Sequence, residues 1–347
     1  MKPLRAEQRE HLVRPFMRWV GGKQRLVGQL LNYLPPEDTY SRYYELFLGA
    51  GSLFLARNFP NPVLNDLNFH LINTYQQVRS RPEAVHRLIT EHARQLTRDH
   101  RRNFGGDWEN YRGKRGRGSY YYTVRDAYNA HLELPDDIFD PERLRQAARF
   151  LFLIHSNYNG LFRVNQRGAY NVPFGKKLTH VPDLEQLNRI SARLQNARLT
   201  NHSFEELEPE IGAGAFVYLD PPYPDLQPQD LFHQTNRSQK ASFTAYNAPP
   251  FETPEHQQLA AFADRIRRRG AKVMVSIVEP FGVHKADPRR TMLREWYPEA
   301  HWCYHRTKFK RTLGPRKDPQ LVHELILTSY ETKKCRPGHK LKRNRRK

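Results

Sequence analysis

Two hydrophobic spacings alternate along this chain, and their alternation predicts an α/β fold. Residues 24–33 carry apolar side chains at helical spacing, which predicts an amphipathic helix. Residues 43–47 have the aromatic pattern of a strand and run into a glycine turn and a helix, and a short strand at residues 63–64 then ends at Asp66. Strand, glycine turn, helix, strand and acidic residue form the layout of a nucleotide-type site in a parallel sheet.

The middle of the chain departs from this pattern. Residues 76–188 are predicted to be helical, are very basic and include the glycine-rich stretch 112–118, which suits a loop because nothing in it can be buried. The parallel-sheet pattern then resumes, and we predict strands at residues 215–220, 272–277 and 322–330 and a helix at residues 255–269. The organisation is therefore one α/β domain interrupted by a helical, basic insertion, without internal repeats.

Composition and charge narrow the class of partner. The 347 residues, 38% of them hydrophobic, suffice for one large core or for a core with a smaller lobe. Lys and Arg number 57 against 36 acidic residues, a net charge of +21, which favours a polyanionic partner, although a basic protein that is merely soluble would also show it. No stretch approaches 18 consecutive apolar residues and the first residues are too polar for a signal peptide, so no membrane association is expected.

The two cysteines, Cys303 and Cys335, do not make a disulfide framework, and a reducing cytoplasm is the default location. His301, Cys303 and His305 alternate as metal ligands on one strand face could, but no fourth ligand or matching pair lies nearby. A packed strand rich in aromatic residues explains the pattern better than a zinc site does. We therefore predict no metal.

The most informative motif is Asp220-Pro221-Pro222-Tyr223, which directly follows an apolar strand. Ligands bind at the carboxyl ends of strands in open α/β sheets. An amine conjugated to an aromatic ring, such as adenine N6, is a poor nucleophile. The Asp220 carboxylate and the Pro221 carbonyl could hold its two hydrogens, while the two prolines stiffen the turn and Tyr223 offers a face on which a flipped base can stack. An ordinary turn at a strand end is the alternative.

The glycine turn, Phe47-Leu48-Gly49-Ala50-Gly51, fits the same chemistry. Its glycines let the backbone approach a ligand closely, and the helix after it offers N–H groups to a carboxylate. Asp66 is placed to accept from ribose hydroxyls, as the acidic residue does in dinucleotide folds. A Gly-x-Gly by itself would be a simple tight turn, but its combination with Asp66 and Asp220-Pro221-Pro222-Tyr223 is specific.

The order of these motifs resembles that of the Dam-type, D12-class adenine-N6 DNA methyltransferases. The resemblance runs from about residue 16 to residue 330. Its segments are Arg18-Trp19-Val20-Gly21-Gly22-Lys23, Glu45 to Gly51, Asn157 to Gly175, Asp220 to Tyr223, Phe243 to Tyr246 and Arg294 to Tyr297. It implies the Rossmann-like, mostly parallel sheet of class I S-adenosylmethionine-dependent methyltransferases, with a helical, hairpin-bearing insertion that recognises DNA.

This resemblance also implies residue roles. S-adenosylmethionine would be the methyl donor, and the residues expected to bind it are Trp19, Lys23, Phe47, Gly49, Gly51, Asp66 and Asp220. Lys23 suits a counter-charge, and Trp19 suits a wall for the sulfonium through cation–π attraction. The motif of residues 220–223 would be catalytic.

Residues 157–175 resemble the DNA-reading hairpin of the family. Tyr158 would wedge into the base stack, Asn159 would fill the gap, Leu161 and Pro173 would touch base edges, and Arg163 would read guanine through O6 and N7. Arg18, which occupies a position where relatives have Lys, is grouped with these DNA-binding residues. A structural β-turn around Arg167-Gly168 is the alternative explanation of the hairpin pattern.

The resemblance implies a catalytic domain made of residues 1–75 and 190–332, a target-recognition domain at 76–189 and a basic, disordered tail at 333–347. Departures from the family pattern include Ile277-Val278-Glu279 after Ser276, a longer basic insertion before Tyr120 and Lys177 beyond the hairpin. They bear on the target sequence more than on the chemistry.

The predicted function is therefore site-specific adenine-N6 methylation of double-stranded DNA, with GATC as the favoured target and a cognate restriction endonuclease as a possible functional partner. Methylation of RNA or of another planar amine is the first alternative, and a non-catalytic nucleic-acid-binding relative is the second. Cytosine-C5 methylation is excluded, because it needs a thiolate and neither cysteine lies in a Pro-Cys motif.

Overall fold

The computed structural model describes residues 13–104, 119–175, 181–222, 253–278, 288–310 and 321–338. Its strands are β1 (Arg42–Glu45), β2 (Val63–Asn65), β3 (Arg198–Thr200), β4 (Ala215–Leu219), β5 (Lys272–Val278), β6 (Cys303–Lys310) and β7 (Leu321–Thr328). Its α-helices are α1 (Val27–Leu30), α2 (Ser52–Ala56), α3 (Phe69–Ser80), α4 (Pro82–Phe104), α5 (Tyr120–Asn129), α6 (Pro141–Ser156), α7 (Leu184–Leu194), α8 (Thr253–Arg268) and α9 (Pro288–Trp296).

One seven-stranded sheet organises these elements in the order β3-β2-β1-β4-β5-β7-β6. The first five strands of that order are parallel, and β7 runs antiparallel between β5 and β6. The central strand β4 is buried along its whole length. The order reverses between β1 and β4, so the sheet has the topological switch point at which open α/β sheets bind ligands.

Each face of the sheet is covered by its own apolar core. In β4, Phe216 and Tyr218 belong to one core, and Val217 and Leu219 belong to the other, because successive side chains of a strand point to opposite faces. The first core also contains apolar residues of α3, α6 and α7. The second is closed mainly by α8. The mostly parallel α/β sheet expected from the sequence is confirmed.

The helical insertion shares the first core. α3 and α4 both pack against α6 and α7, and Phe150 of α6 lies 6.1 Å, ring centre to ring centre, from Trp19. Helix α6 begins with Asp140 as its N-cap and Pro141 in its first turn, which favours a helix start at this position. The domain limits proposed at residues 75/76 and 189/190 lie within α3 and α7, and the division itself stays a prediction.

Several local predictions are refined by the structure. The helix predicted over residues 24–33 is divided into a 3₁₀ turn at Lys23–Arg25, the short α1 and a second 3₁₀ turn at Leu31–Tyr33. Gly28 lies within it and lowers helix propensity. Strand β3 was not predicted. Tyr223, residues 112–118, Lys177 and residues 243–246 lie outside the described residues.

The cysteines correct the sequence-based expectation. Cys303 and Cys335 form a disulfide, with their Cα atoms 5.8 Å apart, so the chain contains a cross-link that its cysteine count did not suggest. The pairing was missed because the partners are 32 residues apart, without a local pattern. Trp302 and Cys303 are buried and His301 is exposed, so the packed strand expected here is found. No metal-binding group of three or more His, Cys, Asp or Glu side chains occurs among the described residues.

Across the residue ranges given above, no helix is both long enough and apolar enough to span a bilayer.

Candidate active site

Three parallel strands end at one edge of the sheet, and each is followed by a candidate site residue. β1 leads into the glycine turn at Phe47–Gly51, β2 into Asp66 and β4 into Asp220. Because β2, β1 and β4 are adjacent and parallel, their carboxyl ends share this edge. The three motifs separated in the sequence therefore meet where an α/β sheet binds ligands.

The glycine turn adopts a backbone that requires its glycines. Gly49 and Gly51 have φ angles of +47° and +62°, which side chains rarely tolerate. The Gly49 N–H donates to Asp66 Oδ2 at 2.9 Å, and the Tyr75 hydroxyl donates to the Gly49 carbonyl at 3.0 Å. The turn is thus tied to the end of β2 and to α3 before any ligand binds.

Asp66 is fixed as firmly as the turn that it holds. Its second oxygen, Oδ1, accepts from the Asn68 N–H at 2.9 Å, and Asn201 donates to its main-chain carbonyl at 2.7 Å. Burial raises the pKa of Asp66 to about 6, while the backbone hydrogen bonds from Gly49 and Asn68 act in the opposite direction. Each carboxylate oxygen can accept more than one hydrogen bond, so the residue can still receive hydroxyl donors.

A second buried carboxyl, Glu45, supports the turn from the end of β1. Glu45 Oε2 accepts from the Tyr43 hydroxyl at 2.7 Å and from the Phe54 N–H at 3.1 Å. Burial raises the pKa of Glu45 to about 8, although the hydrogen bond from Tyr43 lowers it. Glu45 therefore links β1 to the first turn of α2 across the glycine turn.

Asp220 is paired with Lys23 at the end of β4. Lys23 Nζ lies 2.5 Å from Asp220 Oδ1, 3.3 Å from Glu324 Oε1 and 3.0 Å from the Gly21 carbonyl. The Lys23 side chain is 4% exposed and that of Asp220 is 16% exposed. An ammonium with these partners organises the end of β4.

The charge states of the pair follow from burial and from each other. Burial opposes the charged form of Lys23, but Asp220 and Glu324 outweigh it and raise the pKa of Lys23 above its ordinary value. Burial raises the pKa of Asp220 to about 6; Lys23 opposes that rise and Glu324 adds to it. Asp220 is therefore mostly ionised above pH 6 and faces a permanently charged ammonium.

The prolines after Asp220 form the start of a rigid segment. Pro221 is buried and Pro222 is half-buried. His256 of α8 makes a hydrogen bond to the backbone of Pro222, and burial lowers the pKa of His256 to about 4. Proline lacks an N–H, so this bond runs from the neutral imidazole to the Pro222 carbonyl.

Trp19 packs between the glycine turn and the hairpin. A Cβ added at Gly49 would lie 2.8 Å from Trp19 Cδ1, so the indole covers the Gly49 backbone. The Trp19 ring also stacks on Phe162 of the hairpin, with ring centres 5.8 Å apart and an angle of 21° between planes. Arg18 is exposed, and its Cβ lies 2.9 Å from the position of a Cβ on Gly160.

The predicted hairpin is a loop with two isolated bridges, Asn157 to Phe174 and Val164 to Tyr170. Buried polar contacts hold it in place, because Asn129 bonds both the N–H and the carbonyl of Tyr170, and the Tyr121 hydroxyl donates to the Val172 carbonyl. The turn at its tip also exists, since the Gly168 N–H donates to the Asn165 carbonyl at 2.9 Å. The loop thus contains a structural turn, and it also carries exposed side chains.

The candidate DNA-contacting residues differ in exposure. Tyr158 is 50% exposed, Pro173 is exposed, and Leu161 and Arg163 are half-buried. Arg163 Nε donates to Asn171 Oδ1 at 2.7 Å, which orients its guanidinium. The Tyr158 N–H donates to the Pro173 carbonyl at 3.0 Å, so these two residues lie side by side. The side chain of Asn159 lies outside the described part of the chain.

The structure connects most of the predicted cofactor-binding residues by direct contact. Trp19 contacts Gly49, Gly49 bonds Asp66, and Lys23 bonds Asp220. Phe47 is half-buried and lies 5.9 Å from Phe204, ring centre to ring centre. The Lys23 ammonium is thus engaged by carboxylates of the protein, and its expected contact with the cofactor stays a prediction.

Three residues of the site were missed by sequence reasoning: Glu324, His256 and Phe204. Glu324 could have been noticed, because it is the one acidic residue of a mostly apolar strand, where a buried charge needs a partner. No comparable sequence signal marks His256, which lies near the start of a helix, or Phe204, which lies in a loop.

Comparison with known proteins identifies relatives for most of the chain. Residues 19–311 match the family model described as D12 class N6 adenine-specific DNA methyltransferase. The type II methyltransferase M.MjaIII of Methanocaldococcus jannaschii is 32% identical over 272 residues, 76% of this chain and 84% of the relative. The DNA adenine methylase of Serratia marcescens is 31% identical over 302 residues, 87% of this chain and 92% of the relative. The DNA adenine methylase of Escherichia coli is 29% identical over 329 residues, 94% of this chain and 99% of the relative.

Proposed function

The chain belongs to the D12 class of N6 adenine-specific DNA methyltransferases, and on this premise we propose how its residues methylate adenine in DNA and which DNA they select. The reaction moves a methyl group from S-adenosylmethionine to adenine N6. We propose Asp220, Pro221, Pro222 and Tyr223 as the catalytic motif. The observation that carries this assignment is the contact of Asp220 with the buried Lys23 at the carboxyl end of β4.

The Asp220 carboxylate is the acceptor for one hydrogen of the adenine amine. Lys23 fixes the carboxylate, and the Asp220 pKa of about 6 leaves it mostly ionised at neutral pH. The Pro221 carbonyl accepts the second hydrogen, since His256 engages the carbonyl of Pro222. Two acceptors that draw the hydrogens out of the ring plane favour a pyramidal amine, in which the nitrogen lone pair is no longer conjugated with the ring and can attack the methyl group. Tyr223 supplies the face for the flipped base.

The residues of the glycine turn fit S-adenosylmethionine. The positive φ angles at Gly49 and Gly51 leave the backbone open to close approach, and Asp66 is a half-buried acceptor beside that backbone. We propose that Asp66 accepts from the ribose hydroxyls and that Phe47 and Trp19 form apolar walls of the pocket, with Lys23 beside it. When bound, the donor supplies an electrophilic methyl group that carries its own leaving group. No metal ion has a role in this proposal.

The substrate is proposed to be double-stranded DNA. A flipped base leaves a gap in the duplex, and the exposed Tyr158 beside Pro173 provides an aromatic wedge for it. Asn159 is proposed to fill the gap and Leu161 and Pro173 to touch base edges, and the oriented guanidinium of Arg163 suits guanine O6 and N7. Arg18, exposed next to the hairpin, is proposed as a further contact. These features support GATC as the target.

The setting of the reaction is part of the same proposal. The relative from Serratia marcescens is named a DNA adenine methylase, and a DNA substrate favours a cytoplasmic location. A type II name also supports a cognate restriction endonuclease as functional partner. We further propose residues 76–189 as the recognition domain between the two parts of the catalytic domain, and residues 333–347 as a basic tail that adds non-specific affinity for DNA.

Asp220→Ala tests the assignment. We expect methyl transfer to a plasmid from a methylation-deficient host to be abolished, while binding of the same DNA is retained. Asp264→Asn is the matched control, because this half-buried carboxylate of α8 pairs with Arg267 and Arg268 of its own helix. Turnover by Asp220→Ala near the wild-type rate would contradict the mechanism. Equal methylation of duplex DNA and RNA at matched salt would contradict the proposed substrate.

Expression in a methylation-deficient host, followed by sequencing of modified adenines, tests the target. Modified adenines confined to GATC would support the proposal, and another sequence around every modified adenine would replace it.

A further inference from the structure

We propose that Glu324 is a positioning residue of the methyl-transfer site, which acts through Lys23 to orient Asp220 and to preserve its strength as a hydrogen-bond acceptor. The inference rests on the proposed role of Asp220. It concerns a residue of β7, two strands away from β4 in the sheet order.

The main chain of Glu324 is held rigidly. In the sheet it pairs with Val278 of β5 on one side and with Thr307 of β6 on the other. The Thr307 hydroxyl also donates to the Glu324 carbonyl at 3.1 Å. Its side chain is 1% exposed, so the carboxylate starts from a fixed backbone and has little room to move.

A carboxylate at this position would be expensive without a cationic partner, because burial removes its hydration. The structure supplies that partner in Lys23, whose Nζ lies 3.3 Å from Glu324 Oε1. Lys23 comes from the 3₁₀ turn before α1 and Asp220 from the end of β4, so the ammonium joins three separate parts of the chain. A purely structural site in β7 would be served as well by an apolar residue.

Two carboxylates share the ammonium of Lys23. The shorter distance, 2.5 Å, is to Asp220, and the longer, 3.3 Å, is to Glu324. An ammonium divided between two carboxylates withdraws less electron density from each than one devoted to a single partner. Asp220 consequently keeps more of its acceptor strength for the adenine amine, while the geometry set by Lys23 is retained. This division is the function that we assign to Glu324.

The charged surroundings of Asp220 give the inference a distinctive readout. Among the described residues, the groups that interact with Asp220 electrostatically are Lys23, Glu324, Glu45 and Tyr218. Lys23 lowers the pKa of Asp220 and Glu324 raises it. Removing the charge of Glu324 removes a like charge near Asp220. The Lys23 ammonium is then no longer shared between Asp220 and a second carboxylate. Both changes lower the pKa of Asp220, so their signs do not cancel.

Glu324→Gln keeps the shape of the side chain and removes its charge. We expect kcat for methylation of plasmid DNA from a methylation-deficient host to fall roughly tenfold, the effect of weakening one charged hydrogen bond in the transition state. The acid limb of the pH–rate profile should move to lower pH. KM for DNA and the calorimetric Kd for S-adenosylmethionine should stay near the wild-type values. Glu331→Gln, which loses an exposed carboxylate that pairs with Arg336, is the control and should change none of these quantities.

Other outcomes would overturn the inference. An unchanged kcat with an unmoved acid limb would show that Glu324 does not act on Asp220. A lower kcat with an unmoved limb would make the residue merely structural. Lys23→Gln provides the opposite test, because loss of the ammonium must raise the pKa of Asp220 and move the limb to higher pH.

Folding and the proposed function are checked separately. If Glu324→Gln melts at a much lower temperature than the wild type, Glu324→Asp replaces it. Glu324→Asp keeps the charge, so the acid limb of its pH–rate profile must stay in place while kcat falls. A shift of that limb to lower pH would refute the inference. Failure of the wild-type enzyme to methylate adenine would contradict the proposed function, whereas a methylating wild type with an indifferent Glu324 contradicts only the inference about Glu324.

Discussion

Trp19 Cδ1 lies 2.8 Å from the position that a Cβ on Gly49 would occupy, so the indole closes over the backbone of the glycine turn. The same ring stacks on Phe162 in the hairpin. Trp19 thereby joins the turn that is proposed to bind the cofactor to the loop that is proposed to read DNA. A disturbance at Gly49 should consequently affect both activities, and the cofactor site first.

Gly49→Ala should weaken binding of S-adenosylmethionine strongly. The alanine would have to keep a φ of +47°, which costs about 1–2 kcal/mol for an L-residue, and its methyl group would also displace Trp19. Isothermal titration calorimetry measures the effect. Gly168→Ala is the control, because its φ of +75° imposes similar strain without a neighbour within 4 Å. Equal cofactor affinity in the two variants would contradict the packing argument.

The sequence predicted the parts of this site that are local. The residues around Gly49, Asp66 and Asp220 each follow a strand, and a strand end, a glycine turn and an acidic residue leave patterns within a few positions. Glu324 and Lys23 could not be paired in this way, because their contact depends on β7 lying between β5 and β6. Nothing in a linear pattern specifies which strand enters the sheet beside which.

The hairpin shows the same limit in another form. Its turn at Gly168 and its exposed Tyr158 were readable from the sequence, whereas the orientation of Arg163 depends on Asn171 across the loop. The disulfide between Cys303 and Cys335 was not readable, since only the fold brings them together. Contacts between distant segments are thus the part that sequence patterns leave undetermined.

Affinity for S-adenosylmethionine should decline as the pH falls through about 6, where Asp66 takes up a proton. The protonated carboxyl loses acceptor capacity for the ribose hydroxyls. Calorimetric titrations between pH 5 and 8 would measure the decline. Asp66→Asn should bind more weakly at neutral pH and show little change across this range. A wild-type affinity that is flat with pH would refute the role of the Asp66 carboxylate.

Glu45 should make the free energy of unfolding depend on pH. Its folded-state pKa of about 8 lies above its ordinary value of 4.5, so its stabilising contribution is full below 4.5 and is lost as the pH rises through 8. Glu45→Gln should remove this loss and flatten the curve of stability against pH. Urea unfolding at pH 6 and pH 9 compares the two proteins. Glu299→Gln, at an exposed pair with Arg294, should retain the wild-type slope.

Tyr158→Ala should impair base flipping more than DNA binding. An aromatic wedge stabilises the unstacked state, and its loss should reduce the fluorescence of 2-aminopurine placed at the target adenine. We expect the loss of the wedge to destabilise the flipped state by about 1–3 kcal/mol. Phe139→Ala removes another exposed aromatic residue, 61% exposed on a different loop, and should have no effect. Similar losses in both variants would point to a general surface effect.

Arg163→Ala should relax sequence preference by about 1–3 kcal/mol at one base pair. Asn171→Ala should reproduce part of this effect, because Asn171 orients the guanidinium through Nε. Competition binding with duplexes that differ at single positions measures both. Equal weakening on every sequence would make Arg163 a phosphate contact.

The pairing of Lys23 with Glu324 has a consequence for how the protein is made. Lys23 and Asp220 both leave the ribosome well before Glu324, so a nascent chain carries Asp220 and Lys23 without the strand that completes their surroundings. At about 5–20 residues per second, the chain spends many seconds in this condition. Until β7 enters between β5 and β6, the centre of the sheet is unfinished. The enzyme should therefore acquire activity only after β7 has left the ribosome, and translation products that stop before β7 should be unable to methylate DNA.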